Sequence, residues 1–390
     1  MQKLLILIFL ILNYFNLIAQ KNAVPVFISG ADGYKSFRIP AIIKSPSGDL
    51  LAFAEGRVNN SGDFGDIDIV LKRSKDHGKT WSNLSVVADN GHMQAGNPAP
   101  VEDVSDPDYP EGRIFLFYNT GNNHEGEIAK GKGVKQCFFK TSVDGGLTWS
   151  SAIDITLQVH KPNQPLINSS YNFSEDWRCY ANTPGHAMQF QSGKYKGRIF
   201  VAANHSAGPP QKAAKHYVAH GYFSDDHGKT FQLGNSLSIL GSNESMAVEL
   251  SENKLMMNSR NQSGDVKARI VSISNNGGAT WDSTFFDNHL IDPVCEGSIL
   301  KMGVKHGKNI LAFCNNADVS RRNNLLLQIS YDEGKTWEKK LLIYKNQSEI
   351  IENFDYSAYC DLIQLDQKRI GILYEKDNYA SITFSVKKWR

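Results

Sequence analysis

The chain has 390 residues, of which 41% are hydrophobic and 21% are charged. This composition is typical of a globular protein that is long enough to bury a large core. The formal net charge is only +2, and basic residues are interspersed with acidic ones, which argues against a nucleic-acid-binding face and against a basic membrane patch.

The first residues of the chain form an apolar run. "MQKLLILIFLILNYFNLIAQ" has one early lysine, a hydrophobic stretch from Leu4 and the small residue Ala19 before Gln20. We therefore predict a secretory signal peptide over residues 1–19, with cleavage near Ala19, and a mature domain over residues 20–390. A retained membrane anchor is the alternative, because the run approaches the minimum spanning length. We expect a secreted or periplasmic protein with no membrane span after signal removal.

The five cysteines form no CxxC pair and have no histidine partners at zinc-ligand spacing; they are Cys137, Cys179, Cys295, Cys314 and Cys360. A metal site built on them is not expected. In an exported protein they can form one or two disulfides, and the odd count leaves at least one thiol without a partner in the chain.

Five segments repeat nearly the same eight letters. They are "SKDHGKTW" from Ser74, "SVDGGLTW" from Ser142, "SDDHGKTF" from Ser224, "SNNGGATW" from Ser274 and "SYDEGKTW" from Ser330. Each follows strand-like alternation such as "DIDIVLKRS". We interpret each as a hairpin turn, in which the Asp or Asn bonds nearby backbone N–H groups, glycine supplies a positive φ, and the closing aromatic residue packs beneath the hairpin.

The spacing of these repeats predicts the fold class. The repeats are unequally spaced, so loops of different lengths separate similar units. Units of several tens of residues built from short strands indicate a radial arrangement of small sheets. At about sixty residues per unit, the mature chain holds six of them. We predict an all-β fold, a six-bladed β-propeller with four-stranded antiparallel blades.

The repeats resemble the aspartate boxes of the sialidase (neuraminidase) superfamily, which lie on the outer rim of the propeller, far from the substrate. The resemblance implies a structural role for the central residues Asp76, Asp144, Asp226, Asn276 and Asp332. Aspartate boxes also occur in propellers that are not enzymes, so they predict the fold and leave the function open.

A second resemblance concerns "SFRIPAI", which contains Arg38 and is followed by "GDLLAFAEGR" with Glu55 and Arg57. This stretch is similar to the sialidase signature segment. In that family three arginines converge on the carboxylate of sialic acid, because guanidinium groups bind carboxylates through paired, charge-assisted hydrogen bonds. The matching positions here are Arg38, Arg260 and Arg322, with Arg57 as a further substrate-binding residue.

Two nearby arginines are alternatives to this assignment. Arg321 is adjacent to Arg322, so the match can shift by one residue. Arg269 falls within the strand before a repeat and is interpreted as structural.

The resemblance also implies the reacting groups. Asp63, in "NNSGDFGDIDIV", matches the loop-borne acid/base, with Asp66 and Asp68 as rivals. Tyr359, in "YSAYCDL", matches the nucleophile, with Tyr356 as the fallback.

Two glutamates complete the set. Glu244 matches the residue that removes the tyrosine proton, and Glu375, in "RIGILYE", matches the one that holds the first arginine. Trp177 or Tyr180 is expected to cover one side of the sugar, and each is equally compatible with a place in the core. His186 departs from the residue common in relatives, which leaves the aglycone side undefined.

The resemblance therefore implies an exo-α-sialidase that acts with retention on sialylated glycans and glycoconjugates, as a monomer without metal or organic cofactor. A tyrosine nucleophile suits this substrate, because a carboxylate nucleophile is repelled by the carboxylate on the anomeric carbon. The alternatives are a sialic-acid-binding propeller without turnover, a purely structural propeller, and an enzyme that transfers sialic acid or releases an anhydro product.

Overall fold

The computed structural model describes residues 23–346, 351–352 and 354–390. The predicted signal peptide and its cleavage position lie outside these residues. Within the described part of the chain there are 25 strands and only short helices. None of these helices has the length and hydropathy of a membrane span.

The elements follow one another in chain order. The first are β1 (Ala23–Ile28), β2 (Ser36–Lys44), β3 (Leu50–Arg57), β4 (Ile67–Ser74), β5 (Ser85–Ala88), β6 (Gln94–Asp103), β7 (Arg113–Gly121), α1 (Glu125–Ala129), β8 (Lys135–Ser142), β9 (Ile153–Asp154) and α2 (Thr156–Val159). The middle ones are β10 (Trp177–Asn182), β11 (Met188–Gln189), β12 (Ile199–Ala207), β13 (Tyr217–Ser224), β14 (Gln232–Leu233), β15 (Ser242–Glu249), β16 (Leu255–Asn261), β17 (Ala268–Ser274) and β18 (Ser283–Ile291). The last are β19 (Gly297–Lys305), β20 (Lys308–Asn316), β21 (Leu325–Ser330), β22 (Lys339–Tyr344), β23 (Ser357–Gln364), β24 (Arg369–Lys376) and β25 (Ser381–Lys388). Two 3₁₀ helices cover Gly193–Tyr195 and Lys212–Ala214.

These strands form five hydrogen-bonded sheets among the described residues. Three sheets have four strands, in the orders β1-β25-β24-β23, β15-β16-β17-β18 and β19-β20-β21-β22. The fourth has five strands, in the order β10-β12-β13-β14 with β11 beside β12. The fifth has eight strands, in the order β2-β3-β4-β6-β7-β8-β9 with β5 beside β4. Because β1 pairs with β25, the first and last strands of the described chain close the same sheet.

The all-β propeller prediction is confirmed, but the prediction of six separate four-stranded blades is wrong. Four sheets have the four or five strands of a blade. The two meanders β2–β5 and β6–β9 are instead joined into one eight-stranded sheet. The junction is a single parallel pair, Ile67 with Gln94, and the Ile67 N–H donates to the Met93 carbonyl at 3.3 Å. No pattern in the sequence before β6 predicts that Ile67 pairs with Gln94.

The core lies between neighbouring sheets. One cluster joins the eight-stranded sheet to the five-stranded sheet, with Phe117 5.7 Å from Phe139 and 5.9 Å from Tyr222 between ring centroids. Every residue of β3 is buried. Its first five residues are apolar, as expected of a strand covered on both faces, whereas Glu55 and Arg57 lie at its end. The outer strand β18 alternates between exposed and covered residues.

The five repeats form the predicted turns. Asp76 accepts hydrogen bonds from the Lys79 N–H at 3.0 Å, the Thr80 N–H at 2.9 Å and the Thr80 hydroxyl at 2.7 Å. The Ser74 hydroxyl accepts from the Gly78 N–H at 2.8 Å. The aspartate or asparagine of the other repeats likewise accepts from the threonine N–H four residues later. A short side chain therefore satisfies the backbone of each turn.

The closing aromatic residues pack across sheets, which we did not predict, as well as on their own hairpins; the Phe231 ring centroid lies 5.9 Å from that of Tyr222 in its own hairpin. Trp81 packs against Phe384 of another sheet, with ring centroids 5.5 Å apart. Phe231 packs against Phe117 at 5.6 Å, again across sheets. The repeats therefore connect neighbouring sheets as well as closing hairpins.

The cysteines do not form the disulfides that an exported protein allows. All five are buried as free thiols.

Candidate active site

β-Bulges in five strands lie beside one cavity at an end of the propeller. The strand register shifts in the first strand of five meanders: between Arg38 and Ala41 in β2, Gly96 and Ala99 in β6, Trp177 and Tyr180 in β10, Ser242 and Ser245 in β15, and Ser357 and Cys360 in β23. Residues at all five shifts line a single cavity of about 570 Å³. A bulge adds an unpaired residue and re-aims the side chains beside it. The bulges therefore turn side chains of several strands toward this cavity.

The bulge in β2 places one residue in a strained backbone conformation. Ile39 has φ 57°, which is unusual for a β-branched residue. Its N–H donates to Glu375 Oε1 at 2.9 Å, so a buried acceptor holds the strained backbone.

Most of the sequence-predicted site residues lie in the wall of this cavity. They are Arg38, Arg57, Asp63, Glu244, Arg260, Arg322 and Tyr359. Glu375 is buried behind Arg38 and does not line the cavity. The structure thus brings residues that are far apart in sequence to one cavity wall. Their chemical roles are part of the proposed function.

Tyr359 and Glu244 form the central contact. The Tyr359 hydroxyl donates to Glu244 Oε1 at 2.6 Å, and Arg260 Nη1 donates to the Tyr359 oxygen at 2.8 Å and to Glu244 Oε2 at 2.6 Å. Burial and the Glu244 carboxylate raise the pKa of Tyr359 well above its ordinary value, against the opposing effect of Arg260 and Arg322. The phenol is therefore neutral at neutral pH and has a proton acceptor in contact with it.

Glu375 connects the first arginine to the backbone of the tyrosine. Its Oε1 accepts from Arg38 Nε at 2.7 Å, and its Oε2 accepts from the Tyr359 N–H at 3.1 Å. Arg38 and Glu375 are 7% and 1% exposed, so the pair is almost dry. A single carboxylate therefore fixes the spacing of Arg38 and Tyr359.

Arg322 is held by two groups that were not predicted from the sequence. Its Nη1 donates to Asp355 Oδ2 at 3.2 Å and to the Tyr379 hydroxyl at 3.3 Å. Arg321, the alternative in sequence, is exposed and lies outside the cavity wall. The structure therefore places Arg322 at the cavity.

Asp63 lies on the open side of the cavity, with its side chain 75% exposed. Arg57 Nη1 donates to Asp63 Oδ1 at 2.8 Å, and Arg57 Nη2 donates to Glu55 Oε2 at 2.6 Å. Partial burial raises the pKa of Asp63, but the charges of Arg57 and Arg38 and the Arg57 hydrogen bond lower it by more, so the net pKa is below the ordinary value. Asp63 is therefore a carboxylate at neutral pH.

The rival aspartates lie outside the cavity wall. Asp68 accepts a hydrogen bond from the Tyr34 hydroxyl at 2.6 Å, and Asp66 lies 3.1 Å from His92 Nδ1. The fallback Tyr356 is also outside it, with its hydroxyl accepting from the Ile351 N–H at 2.8 Å.

The other residues singled out in the sequence differ in whether they line the cavity or lie in the core. Tyr180 lines the cavity and also belongs to the core, whereas Trp177 is stacked on His205, with ring centroids 3.5 Å apart, and lies outside the wall.

Arg269 is fully buried and pairs with Asp292 at 3.1 Å, in agreement with a structural role. His186 lies outside the wall, 2.7 Å from Asp361.

Sequence reasoning missed several cavity residues. They are Tyr379, Lys135, Gln94, Asn97, Glu125, Tyr217 and others on the same wall. Lys135 is 4% exposed and donates to Gln94 Oε1. The one signal in the sequence is that "NYASITF", which contains Tyr379, begins three residues after Glu375. The other named residues lie in the strands β6, β8 and β13 and in α1, and their local sequence does not show that they face a common cavity.

The described residues include one possible group of metal ligands, and it lies away from this cavity. Among the described residues, one group has ligand atoms close enough to hold an ion: Asp103, Asp106 and His227. These side chains already bond one another and Arg113, with His227 Nδ1 2.9 Å from Asp103 and Arg113 Nη2 2.7 Å from Asp106. They lie outside the cavity wall.

Most of the chain matches one known protein family. The family model described as BNR repeat-like domain matches residues 48–372. A sialidase of Micromonospora viridifaciens is 30% identical over 368 residues, which is 89% of this chain and 51% of that protein. A sialidase of Bacteroides fragilis is 28% identical over 403 residues, covering 96% of this chain and 66% of that protein. The chain thus spans half to two thirds of the length of these relatives.

A solved structure agrees with these sequence matches. The Hadza microbial sialidase Hz136 has a TM-score of 0.76 and 25% identity, with 94% of this chain and 68% of that chain covered.

Proposed function

Because the chain belongs to the BNR repeat-like domain family, we propose that it is an exo-α-sialidase, which hydrolyses terminal α-linked sialic acid from glycoconjugates with retention of configuration. One observation carries this proposal: the Tyr359 hydroxyl donates to Glu244 Oε1 at 2.6 Å inside a cavity whose wall includes Arg38, Arg260 and Arg322. Similarity to named sialidases supports the same substrate class.

The arginines supply the binding site for the sugar carboxylate. Arg38 uses Nε for Glu375, Arg260 uses Nη1 for Glu244 and Tyr359, and Arg322 uses Nη1 for Asp355 and Tyr379. Both Nη atoms of Arg38 and the Nη2 atoms of the other two have no hydrogen-bond partner among the described residues. These donors can bind one carboxylate by charge-assisted hydrogen bonds.

The first chemical step is attack by Tyr359 on the anomeric carbon. The phenol oxygen forms a bond to C2, the C2–O bond to the leaving group breaks, and Glu244 accepts the phenol proton. Asp63 donates a proton to the departing oxygen. A neutral phenol approaches a carbon that carries a carboxylate with less repulsion than an anionic nucleophile.

Asp63 must gain a proton before it can act as this acid. Arg38 is one of the charges that lower the pKa of Asp63. A substrate carboxylate on Arg38 offsets that charge, so binding raises the pKa of Asp63 toward its ordinary value. Substrate binding and protonation of the acid are thus coupled.

The second step releases the sugar. Water attacks C2 and gives a proton to Asp63, the bond from C2 to the Tyr359 oxygen breaks, and Glu244 returns the proton to the phenolate. Two inversions at C2 give retention.

The test of this proposal is trapping of the intermediate. The purified chain is incubated with a fluorogenic α-sialoside, and separately with a 2,3-difluoro sialic acid, whose sugar–enzyme bond hydrolyses slowly. We expect release of the fluorophore and a sialyl mass increase on the peptide that contains Tyr359. The variant Tyr359→Phe is the control and should show neither. A labelled peptide elsewhere, or binding of sialosides without turnover, contradicts the mechanism.

We also propose export of the chain as a monomer, with cleavage near Ala19. N-terminal sequencing of the exported protein tests the cleavage position, and sedimentation of the purified protein tests the monomer.

A further inference from the structure

The turn between β24 and β25 has an unusual backbone. Asp377, Asn378 and Tyr379 have φ values of 51°, 51° and 65°. Positive φ is uncommon outside glycine and is rarest for bulky side chains, so three such residues in succession persist only if other contacts hold them. Strain of this kind concentrates at ligand-binding sites, which makes the turn a candidate for a functional role.

Three contacts hold the turn in place. The Asp377 N–H donates to the Tyr356 carbonyl at 2.9 Å, and the Asn378 N–H donates to the Asp355 carbonyl at 2.6 Å. The Ser29 hydroxyl donates to the Tyr379 carbonyl at 2.6 Å. The strained turn is therefore fixed on both sides, and it carries Tyr379 to the cavity wall.

Tyr379 contacts two of the three arginines. The Arg38 Cζ lies 3.8 Å from the centroid of the Tyr379 ring. The Tyr379 hydroxyl accepts from Arg322 Nη1 at 3.3 Å and donates to Asp355 Oδ2, which itself accepts from Arg322. The ring therefore supports one guanidinium while the hydroxyl and Asp355 support the other.

We propose that Tyr379 is a positioning residue, which together with Asp355 holds Arg38 and Arg322 at the spacing that the sugar carboxylate requires. The inference rests on the proposed function, since it concerns the same carboxylate. Two cations that face the same cavity repel each other, and arginine side chains have many rotamers. Fixing both before the ligand arrives lowers the entropy lost on binding. Tyr379 contacts Arg38 with its ring and Arg322 with its hydroxyl. These two contacts account for a tyrosine at a position with strained backbone.

The experiment measures recognition of the carboxylate itself. The probes are 2,3-unsaturated sialic acid and its methyl ester, which lacks the charge, and their affinities are measured by calorimetry. For the wild-type chain we expect strong preference for the acid. Tyr379→Leu should weaken binding of the acid by about 10- to 100-fold, through loss of the ring contact and the hydroxyl contact. Binding of the ester should change by less than about threefold, because an ester engages the arginines weakly.

Two further variants separate positioning from a structural role. Tyr379→Phe keeps the ring on Arg38 and loses the hydroxyl, so it should retain part of the preference for the acid. Asn378→Gly is the matched control, because Asn378 is exposed and has the same strained φ. It should leave the acid-to-ester ratio unchanged.

The outcomes are distinct. Equal losses for acid and ester in Tyr379→Leu, or an unchanged ratio, overturn the positioning role. If Tyr379→Leu does not fold, Tyr379→Phe decides, and an unchanged ratio in that variant overturns the role. A wild-type chain that prefers the acid but does not hydrolyse an aryl sialoside contradicts the proposed function alone. A wild-type chain without this preference contradicts both.

Discussion

Glu375 and Arg38 are 337 residues apart in sequence, and their side chains meet at 2.7 Å in a nearly dry contact. The same carboxylate accepts from the backbone of Tyr359. If the Glu375 carboxylate were removed, the buried Arg38 would keep its positive charge with no compensating negative charge, which strongly destabilises the fold. The pair therefore links the position of the first arginine to that of the proposed nucleophile.

The first prediction concerns this link. Glu375→Gln should lower kcat/KM on an aryl sialoside by about 10- to 100-fold, because one charge-assisted contact is lost and Arg38 is misplaced. Glu249→Gln is the matched control, since Glu249 is 4% exposed and pairs with Lys301 at 3.0 Å but lies outside the cavity wall. It should lower thermal stability with normal kinetics in the folded fraction. Equal kinetic losses in both variants would refute a specific role for Glu375.

The second prediction separates two adjacent arginines. Arg322→Ala should lower kcat/KM by about tenfold to a hundredfold, because a charge-assisted contact with the carboxylate is worth about 1.5–3 kcal/mol. Arg321→Ala should have little effect, because Arg321 is exposed and lies outside the cavity wall. Steady-state kinetics on the same sialoside measure both. A silent Arg322→Ala with a damaging Arg321→Ala would reverse the assignment.

Features that depend on contacts between residues close in sequence could be predicted. The Asp-x-Gly turns could be predicted because Asp76 and its counterparts bond backbone groups three and four residues away. The positions of Arg38 and Tyr359 came from resemblance to a known family, and the bulges that bring them together involve pairing between strands. Pairing across strands depends on register, which single segments specify weakly.

The failures are contacts between distant segments. The single pair of Ile67 with Gln94 joins two meanders, so counting repeats did not give the number of sheets. Tyr379 was missed because its position depends on a strained turn that is held by Ser29 and the backbone of Asp355. The Trp81 ring was placed under its own hairpin, whereas its partner Phe384 is more than 300 residues away.

The third prediction concerns the glycines of the repeats. Gly228 has φ 78°, and a Cβ there would lie 2.6 Å from Phe115 Cε1 of a neighbouring sheet. Gly228→Ala should lower the free energy of unfolding by about 1–3 kcal/mol beyond the backbone strain, because the core must shift. Gly48→Ala is the control, since Gly48 has φ 92° and open space around its Cβ position. Chemical denaturation measures the difference. Equal losses for the two variants would show that only the backbone matters.

The fourth prediction concerns acid stability. Burial lowers the pKa of His160 and of His220 to about 3, and lowers the pKa of His205 well below its ordinary value. Above pH 6.5 these residues are neutral in both states. Below it the unfolded chain binds protons that the folded chain does not, so the free energy of unfolding falls as the pH falls toward 3. Each histidine contributes up to about 1.4 kcal/mol per pH unit.

Urea denaturation at several pH values tests the acid-stability prediction. His160→Phe should reduce the slope of stability against pH and cost little at neutral pH, because neither ring nitrogen of His160 has a hydrogen-bond partner in the described structure. His306→Asn is the control, since His306 is exposed, and its slope should match the wild type. An unchanged slope in His160→Phe contradicts the assignment.

The fifth prediction distinguishes the proposed acid from the proposed nucleophile. A general acid matters most for a poor leaving group, because it protonates the departing oxygen. Asp63→Ala should therefore retain much of its glycosylation rate on a 4-methylumbelliferyl sialoside and lose about 10²–10⁴-fold on sialyllactose. Tyr359→Phe should be severely impaired on both substrates, because the covalent intermediate is required whatever departs.

The geometry makes this comparison selective for Asp63. Its side chain is 75% exposed and hydrogen bonds to Arg57, whereas Tyr359 is buried and contacts Glu244. Removing the Asp63 carboxylate therefore leaves the nucleophile and its base in place. Protonation of the leaving group is lost in the first step, and the acceptor of the water proton is lost in the second. Arg57 keeps its contact with Glu55, so its charge stays compensated. Single-turnover rates on the two substrates give the ratio directly, and equal losses on both for Asp63→Ala would exclude it as the acid and direct attention to Asp66.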